Sequence, residues 1–274
     1  MFGKLLKNDL KAQWHSMSTL FLAIIISTVG IELAVLFADH KVIKALGGGA
    51  VRAVLLFACV VILVAVSSAF SKTMFGRAGY LTMSLPVKTG SLVASKTVSG
   101  LIWIFAVYAL FVGSFALWVS QVYDALGEEM LSTVEDLLSM FGVPSMATIS
   151  IGVTAFCISL AATVLVAVQA LYLGETLSHV SPVSKFGKFG AIIIFFAVFL
   201  IVLKISEKCS SLADIGMVIT DDAISFTTEA AKTRKEMNGA AMTVGFTSTI
   251  VRLIIGIAMH FPITKLVKDK VNIG

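Results

Sequence analysis

Charged residues are scarce in this chain, and their scarcity excludes most soluble folds. Only 14% of the 274 residues are Asp, Glu, Lys or Arg, whereas 58% are hydrophobic. The mean hydropathy is +0.98. A soluble chain of this length needs a polar surface around its core, and this composition cannot provide one. The sequence therefore predicts a protein whose surface faces lipid.

Cysteine is rare, and several common catalytic motifs are missing. Cys59, Cys157 and Cys209 do not form a paired disulfide framework. The chain contains no Gly-x4-Gly-Lys-Ser/Thr phosphate loop and no Gly-x-Ser-x-Gly nucleophile elbow. Its histidines are scattered without metal-ligand spacing. We therefore predict a polypeptide that is not an enzyme and holds no cofactor or metal of its own.

Long apolar stretches are abundant. A bilayer core about 30 Å thick requires about 20 apolar residues, since a helix rises about 1.5 Å per residue. The fifth stretch is long enough only if the lysines at its ends reach the headgroups. We predict a single all-α integral membrane domain over residues 1–274 with six transmembrane helices: Thr19–Ala38, Ala53–Phe70, Leu101–Gln121, Ile149–Leu173, Phe186–Lys204 and Met242–Phe261.

The charges between these stretches predict which loops share a side of the membrane. The N-terminus, residues 71–99, residues 174–188 and the C-terminal tail together carry twelve Lys/Arg and three acids. The other three connections carry eight Lys/Arg and twelve acids. Because basic loops stay inside, both termini are predicted to be cytoplasmic. The same clustering explains the net charge of +5 without a nucleic-acid partner.

Residues 1–18 predict an amphipathic helix on the cytoplasmic leaflet. Its apolar side chains fall at helical spacing: Phe2, Leu5, Leu6, Leu10 and Trp14. Lys4, Lys7 and Lys11 occupy another face, where each would gain about 1 kcal/mol from anionic lipid. The alternative is an extension of the first span.

On the opposite side, Glu128–Phe141 predicts a second amphipathic helix, and the long connection Ile205–Ala241 predicts a helix or a re-entrant element.

The segment between the second and third spans combines bases with apolar side chains. Residues 71–96 contain four bases and no acid. Pro86 breaks a preceding helix and Gly90 allows a turn. Apolar residues that face the cytoplasm need either a protein surface or the membrane surface to bury them. The candidates for such a contact are Phe75, Tyr80, Leu81, Met83 and Leu85.

One string in this segment carries a family resemblance. Phe75-Gly-Arg-Ala-Gly-Tyr80-Leu-Thr-Met-Ser-Leu-Pro86-Val, followed by Ser95-Lys96 and an apolar span, resembles permease subunits of ABC transporters of the type-2 export class. The six-span layout is similar too. The resemblance implies a small bacterial permease in the cell membrane, a cytoplasmic ATPase subunit that holds ATP and Mg, and a second permease copy or paralogue. The exported substrate would be a peptide, an amphipathic compound or a lipid.

The resemblance also implies where the ATPase binds. The coupling helix and its exit would meet the ATPase through Phe75, Arg77, Tyr80, Leu81, Leu85 and Pro86. Residues 174–190 would supply a second, shorter cytoplasmic contact. Two other functions remain open, namely an ATP-independent secondary transporter and a membrane scaffold or sensor that transports nothing.

Three polar residues lie within the predicted spans: Glu32, Gln169 and Arg252. A charge at the bilayer centre costs at least about 2.5–3.5 kcal/mol on insertion scales. One hypothesis is an ion pair between Glu32 and Arg252, which would lie about 10 Å and about 15 Å from the same side. The alternative is that one or both face a substrate passage.

Overall fold

The structure is a computed structural model that describes residues 2–36, 41–76, 79, 87–126, 146–180, 183–213, 215–219, 224–228 and 242–269. Seven α-helices lie in the described part of the chain: α1 Phe2–Leu36, α2 Lys41–Met74, α3 Thr89–Leu126, α4 Met146–Ser178, α5 Gly187–Leu212, α6 Thr247–Ala258 and α7 His260–Asp269. A 3₁₀ turn, Val183–Phe186, precedes α5. Three short strands follow α5: β1 Gly216–Ile219, β2 Ile224–Thr227 and β3 Met242–Gly245.

The helices are long and apolar enough to cross a membrane several times. Five segments qualify among the described residues: Ala53–Met74, Thr89–Leu110, Cys157–Ser178, Gly187–Leu212 and Thr247–Lys268. A sixth is added if the bent pair Phe2–His15 and Met17–Gly30 counts as one span. The prediction of a mainly helical, multi-pass membrane protein is therefore confirmed. The side of the membrane on which the termini lie stays a prediction.

The chain divides into two compact units. The first unit contains Met1–Ala125, Glu175–Gly187 and Ile263–Gly274, and the second contains Leu126–Gly174 and Lys188–Pro262. In the first unit, α1 packs against α2.

The second helix shows why these helices need lipid. One stripe of α2 is buried and repeats every three or four residues: Leu55, Ala58, Ile62, Val66, Phe70 and Met74. Another stripe is equally apolar but exposed, and it contains Phe57, Val60 and Val64. A helix that is hydrophobic on all faces suits a membrane, because its outer face would be unstable in water.

The first helix bends by 55° between its segments Phe2–His15 and Met17–Gly30. Two hydroxyls just after the bend donate to the backbone carbonyl of His15, Ser18 Oγ at 3.3 Å and Thr19 Oγ1 at 3.0 Å. Hydroxyls that bond the preceding turn weaken its backbone hydrogen bonds and favour bending. The bend lies next to the predicted boundary between the interfacial helix and the first span, although the position of either segment in a membrane stays a prediction.

The predicted connection Ile205–Ala241 begins with the end of α5, and its described residues after that helix form strands where a further helix or a re-entrant element was expected. Strand β1 pairs antiparallel with β2 and with β3, which gives the order β2-β1-β3. In addition, α5 continues to Leu212, beyond the predicted end of the fifth span. The predicted sixth span began at Met242, but residues 242–245 form β3 and the helix begins at Thr247.

The core of the second unit joins three helices. Val166 and Ala170 of α4, Val202 of α5 and the adjoining Met259 are buried together. The close approach of α4 and α5 depends on Gly174. A Cβ added there would lie 2.6 Å from the backbone oxygen of Ala191. Glycine is therefore required at this position because no side chain fits between the two backbones.

Candidate functional site

The predicted ATPase contact begins at a tight turn that follows α2. The backbone nitrogens of Phe75 and Gly76 both donate to the carbonyl of Ser71, and Gly79 N donates to Gly76 O at 2.7 Å. A Cβ on Gly76 would lie 2.5 Å from the oxygen of Lys72, which leaves no room for a side chain. The two glycines of the Phe75–Tyr80 string are thus explained by a turn folded back on the helix end.

Phe75 packs against the second predicted cytoplasmic segment. Its ring stacks on the imidazole of His179, with centroids 4.3 Å apart and an angle of 24° between the planes. Phe70 meets the Phe75 ring edge-on at 5.8 Å. Because His179 follows the end of α4, the stack joins the cytoplasmic ends predicted for the second and fourth spans.

A polar contact reinforces this junction one to two turns deeper. Ser67 of α2 donates from Oγ to Glu175 Oε1 of α4 at 3.0 Å. Ser178 Oγ donates to the Glu175 carbonyl at 2.8 Å, and the His179 Nδ1 atom lies 2.8 Å from the same carbonyl. The described contacts that hold the end of α4 to α2 and to the turn after it include the Ser67–Glu175 hydrogen bond and the Phe75–His179 stack.

The start of α3 is tied to the first helix by an ion pair. Lys96 Nζ lies 3.0 Å from Asp9 Oδ1, and Ser95 donates from Oγ to Asp9 Oδ2. The Lys96 side chain is 3% exposed and that of Asp9 is 17% exposed. One turn further along both helices, Gln13 Nε2 donates to Ser99 Oγ at 3.2 Å. These contacts fix α1 against the Ser95-Lys96 part of the family-like string.

The packed face of residues 2–17 in α1 combines part of the predicted apolar set with two polar residues. The described positions that are buried or half-buried there are Leu5, Leu6, Asp9, Leu10, Gln13 and Met17. Phe2 and Trp14 are exposed, and Trp14 lies against Trp103 of α3 at a centroid distance of 5.8 Å. The three lysines are exposed as expected: Lys4, Lys7 and Lys11. Two polar residues therefore occupy the packed face because they bond α3.

Of the six predicted ATPase-coupling residues, the structure describes Phe75. Arg77, Tyr80, Leu81, Leu85 and Pro86 lie outside the described residues, as does the predicted amphipathic helix Glu128–Phe141. The interhelical contacts that the sequence did not predict are those of Asp9, Glu175 and His179. Asp9 had a signal, since it is the single acid among the three lysines of the first 18 residues.

Of the three polar residues in the predicted spans, the structure describes the side chains of Gln169 and Arg252. Gln169 is buried in α4, and its Oε1 has no hydrogen-bond partner among the described residues. Arg252 of α6 donates from Nε to Ser206 Oγ at 3.3 Å and from Nη1 to Thr163 Oγ1 at 3.1 Å. The side chain of Glu32 lies outside the described residues. Its ion pair with Arg252 therefore stays a prediction.

The described part of the chain shows neither a metal-ligand cluster nor a disulfide. No group of three or more His, Cys, Asp or Glu side chains could hold a metal ion there. The three cysteines are free thiols in these segments. The contacts of Asp9, Glu175 and His179 join different helices, so they can fix the helices against each other and pass on a displacement from one helix to the next.

Comparison with known proteins leaves the family open. No family model, no curated protein and no solved structure matches this chain. The membership of this chain in the type-2 export permeases, which the string Phe75–Lys96 resembles, therefore stays a prediction.

Proposed function

We propose that this chain is the membrane-spanning permease subunit of an ATP-driven ABC exporter of the type-2 class. A separate cytoplasmic ATPase binds ATP and Mg, and a second permease copy or paralogue completes the transporter. The chain lies in a bacterial cell membrane with both termini in the cytoplasm. The exported substrate is a peptide, an amphipathic compound or a lipid.

One observation carries this proposal: the three predicted cytoplasmic segments ahead of α5 meet through direct contacts. Asp9 of the N-terminal segment pairs with Lys96, which lies in residues 71–99. Phe75, at the other end of residues 71–99, stacks on His179 of residues 174–190. The positive-inside rule assigned these segments to one side from their charges alone. Their contacts support the prediction that these segments share one side of the membrane.

The same contacts provide a route for mechanical coupling. An ATPase that grips residues 77–86 would move both ends of this segment when ATP binding closes it. At one end, Phe75 would carry the motion to α2 and to the end of α4. At the other end, Lys96 and Ser95 would carry it to α3 and, through Asp9, to α1. A short segment packed at both ends is suited to transmit a displacement because packed interfaces do not deform continuously.

The alternatives are an ATP-independent transporter and a scaffold or sensor, and both differ from the exporter in their partners. The test is purification of the tagged full-length chain from its native membrane in mild detergent. We expect a soluble protein with a phosphate loop to co-purify in stoichiometric amount, and ATP hydrolysis to accompany it. An intact chain that is repeatedly recovered without an ATPase would contradict the exporter proposal.

A pair of substitutions refines this test. Leu85→Asp should reduce co-purification of the ATPase or uncouple its hydrolysis from transport, because a charge would occupy an apolar contact. Phe57→Ala is the matched control, since Phe57 is an exposed apolar residue of α2 on the predicted lipid-facing stripe. If both variants behave alike, the contact has been assigned to the wrong segment.

A further inference from the structure

Arg252 lies on the inward face of α6. Thr249 and Gly256, on the same side of the helix, are both buried. Ile250 and Ile254 are exposed, and helical geometry places them about 160° around the helix from Arg252. The guanidinium is thus turned toward the neighbouring helices of the second unit and away from the exposed apolar stripe.

Two hydroxyls from other helices orient the guanidinium. Ser206 of α5 accepts from Nε, and Thr163 of α4 accepts from Nη1. Each hydroxyl donates its own hydrogen to its own helix, Ser206 Oγ to Leu203 O at 2.8 Å and Thr163 Oγ1 to Ser159 O at 2.9 Å. Both oxygens are therefore fixed as acceptors. The side chain is held by three helices before any ligand arrives.

The positive charge at this position is not neutralised within the described structure. The ion pairs of the described residues are Asp9–Lys96 and Lys204–Glu207, and neither includes Arg252. A guanidinium has five N–H donors, and the two hydroxyls use two of them. Neutral hydroxyls do not compensate a charge in a membrane-spanning helix, where isolated charges are costly. The site offers a charge and a fork of donors that match an oxyanion.

The depth of the site limits what can reach it. Arg252 lies five residues after the start of α6, about 7.5 Å along the axis, and not the 15 Å expected from sequence. Ser206 lies six residues before the end of α5, about 9 Å along that helix. Both are within two turns of a helix end. A headgroup at the membrane interface can reach a side chain at this depth.

We propose that Arg252 binds the phosphate group of an anionic amphiphile, with Thr163 and Ser206 as its positioning residues. The same donors would also accept a free phosphate ion from water, so inorganic phosphate is the competing ligand that the experiment distinguishes from a bilayer phospholipid. The inference deepens the proposed export function, since it narrows the substrate class to anionic amphiphiles. The binding site itself does not require the ATPase, so it can be tested without it.

The experiment measures binding by the purified full-length chain in dodecyl maltoside micelles, because this detergent contains no phosphate. Native mass spectrometry quantifies bound phosphatidylglycerol after the lipid is added, and inorganic phosphate is titrated as a separate probe. We compare the wild type, Arg252→Gln and the control Lys204→Gln, which removes a charge from the exposed Lys204–Glu207 pair of α5. We expect Arg252→Gln to weaken phosphatidylglycerol binding about tenfold or more, and the control to leave it unchanged.

The two probes separate the two sources of phosphate. Arg252-dependent binding of phosphatidylglycerol alone assigns the site to a lipid-like ligand. Arg252-dependent binding of inorganic phosphate as well shows that the site is also open to water. If neither probe binds more weakly to Arg252→Gln than to Lys204→Gln, the proposal is overturned. That is also the outcome expected if Glu32 neutralises Arg252.

A second variant keeps the test decisive if Arg252→Gln does not assemble. The double substitution Thr163→Ala with Ser206→Ala retains the charge but removes both hydroxyls that orient it. We expect this variant to bind phosphatidylglycerol about threefold or more weakly than the wild type. Unchanged affinity in the double variant would overturn the proposal. Loss of phosphate binding with normal ATPase co-purification would leave the exporter assignment intact.

Discussion

The ammonium of Lys96 lies 3.0 Å from the carboxylate of Asp9, although the two residues are 87 positions apart in the chain. Ser95 adds a hydroxyl to the same carboxylate, so the ion pair is hydrogen-bonded on both oxygens. A second ion pair, Lys204–Glu207, joins residues three positions apart on one helix and is largely exposed. The first pair is buried and joins two helices, whereas the second is exposed and lies within one helix. Removing the acid from each pair therefore compares a buried with an exposed ion pair.

Asp9→Asn should destabilise the protein by about 3 kcal/mol, because it removes the counter-charge from the buried ammonium of Lys96. Glu207→Gln should cost less than about 1 kcal/mol, since exposed ion pairs contribute little. Thermal unfolding of both variants in the same detergent measures the difference. Equal melting temperatures would show that the Asp9–Lys96 pair does not hold α1 to α3.

The stack of Phe75 on His179 should be energetically coupled. Phe75→Leu and His179→Ala each remove the ring contact, and a double-mutant cycle isolates the interaction between them. We expect a coupling energy of about 1 kcal/mol, which is typical of a stacked aromatic pair. The measurement is unfolding in detergent at a fixed pH. If the effects of the two substitutions on the free energy of unfolding are strictly additive, the Phe75–His179 contact contributes no interaction energy.

In the exporter proposal, the same cycle predicts a functional effect. Variants that lose the stack should retain membrane insertion and ATPase co-purification, because the other residues that meet the ATPase are unchanged. Transport per ATP hydrolysed should fall, since the end of α4 no longer follows α2. Reconstituted vesicles that hold the ATPase provide the readout.

Gly174→Ala should destabilise the protein through its second unit. Gly113→Ala, in the first unit, should not destabilise the protein. At Gly174 the added methyl meets a backbone oxygen of α5 at 2.6 Å, so the two helices must separate. At Gly113 no atom of the described residues lies within 4 Å, and alanine has the higher helix propensity by about 1 kcal/mol. Thermal unfolding in detergent compares the two. If the Gly174→Ala and Gly113→Ala variants have the same melting temperature, then α4 and α5 do not pack as closely as described.

The predicted topology can be tested with thiol labelling of intact cells. After Cys59 and Cys157 are replaced by Ser, Cys209 near the end of α5 remains as a reporter of the predicted external side. A second chain carries Lys88→Cys with Cys209→Ser and reports the predicted cytoplasmic side. A membrane-impermeant maleimide should label Cys209, whereas the thiol introduced at position 88 should stay unlabelled until the cells are opened. The reverse pattern would invert the orientation.

The sequence predicted the helices well because their signal is local. An apolar run of about 20 residues has few alternatives in a bilayer, where every backbone group must be bonded within the segment. The strands β1 to β3 were missed because they are four residues each and are defined by pairing across the chain. Met242–Gly245 looked like the start of a span since it is apolar, but it pairs with β1 instead.

The candidate site was predicted in part. The string around Phe75 drew attention to residues 71–99, and the structure explains its Gly76 by a turn with no room for a side chain. The partners of that segment were not predictable. Nothing in the local pattern indicates that Phe75 meets His179. Asp9 stands out as the single acid among three lysines, but the pattern does not identify Lys96 as its partner.

Composition and periodicity alone determined that this chain is helical and crosses a membrane, because lipid exposure is a property of each segment by itself. The tertiary structure decided which polar groups meet: Asp9 with Lys96, Ser67 with Glu175, and Arg252 with two hydroxyls. These choices depend on the rotation and register of one helix against another. Such quantities are set by packing between distant segments, which no single stretch of sequence records.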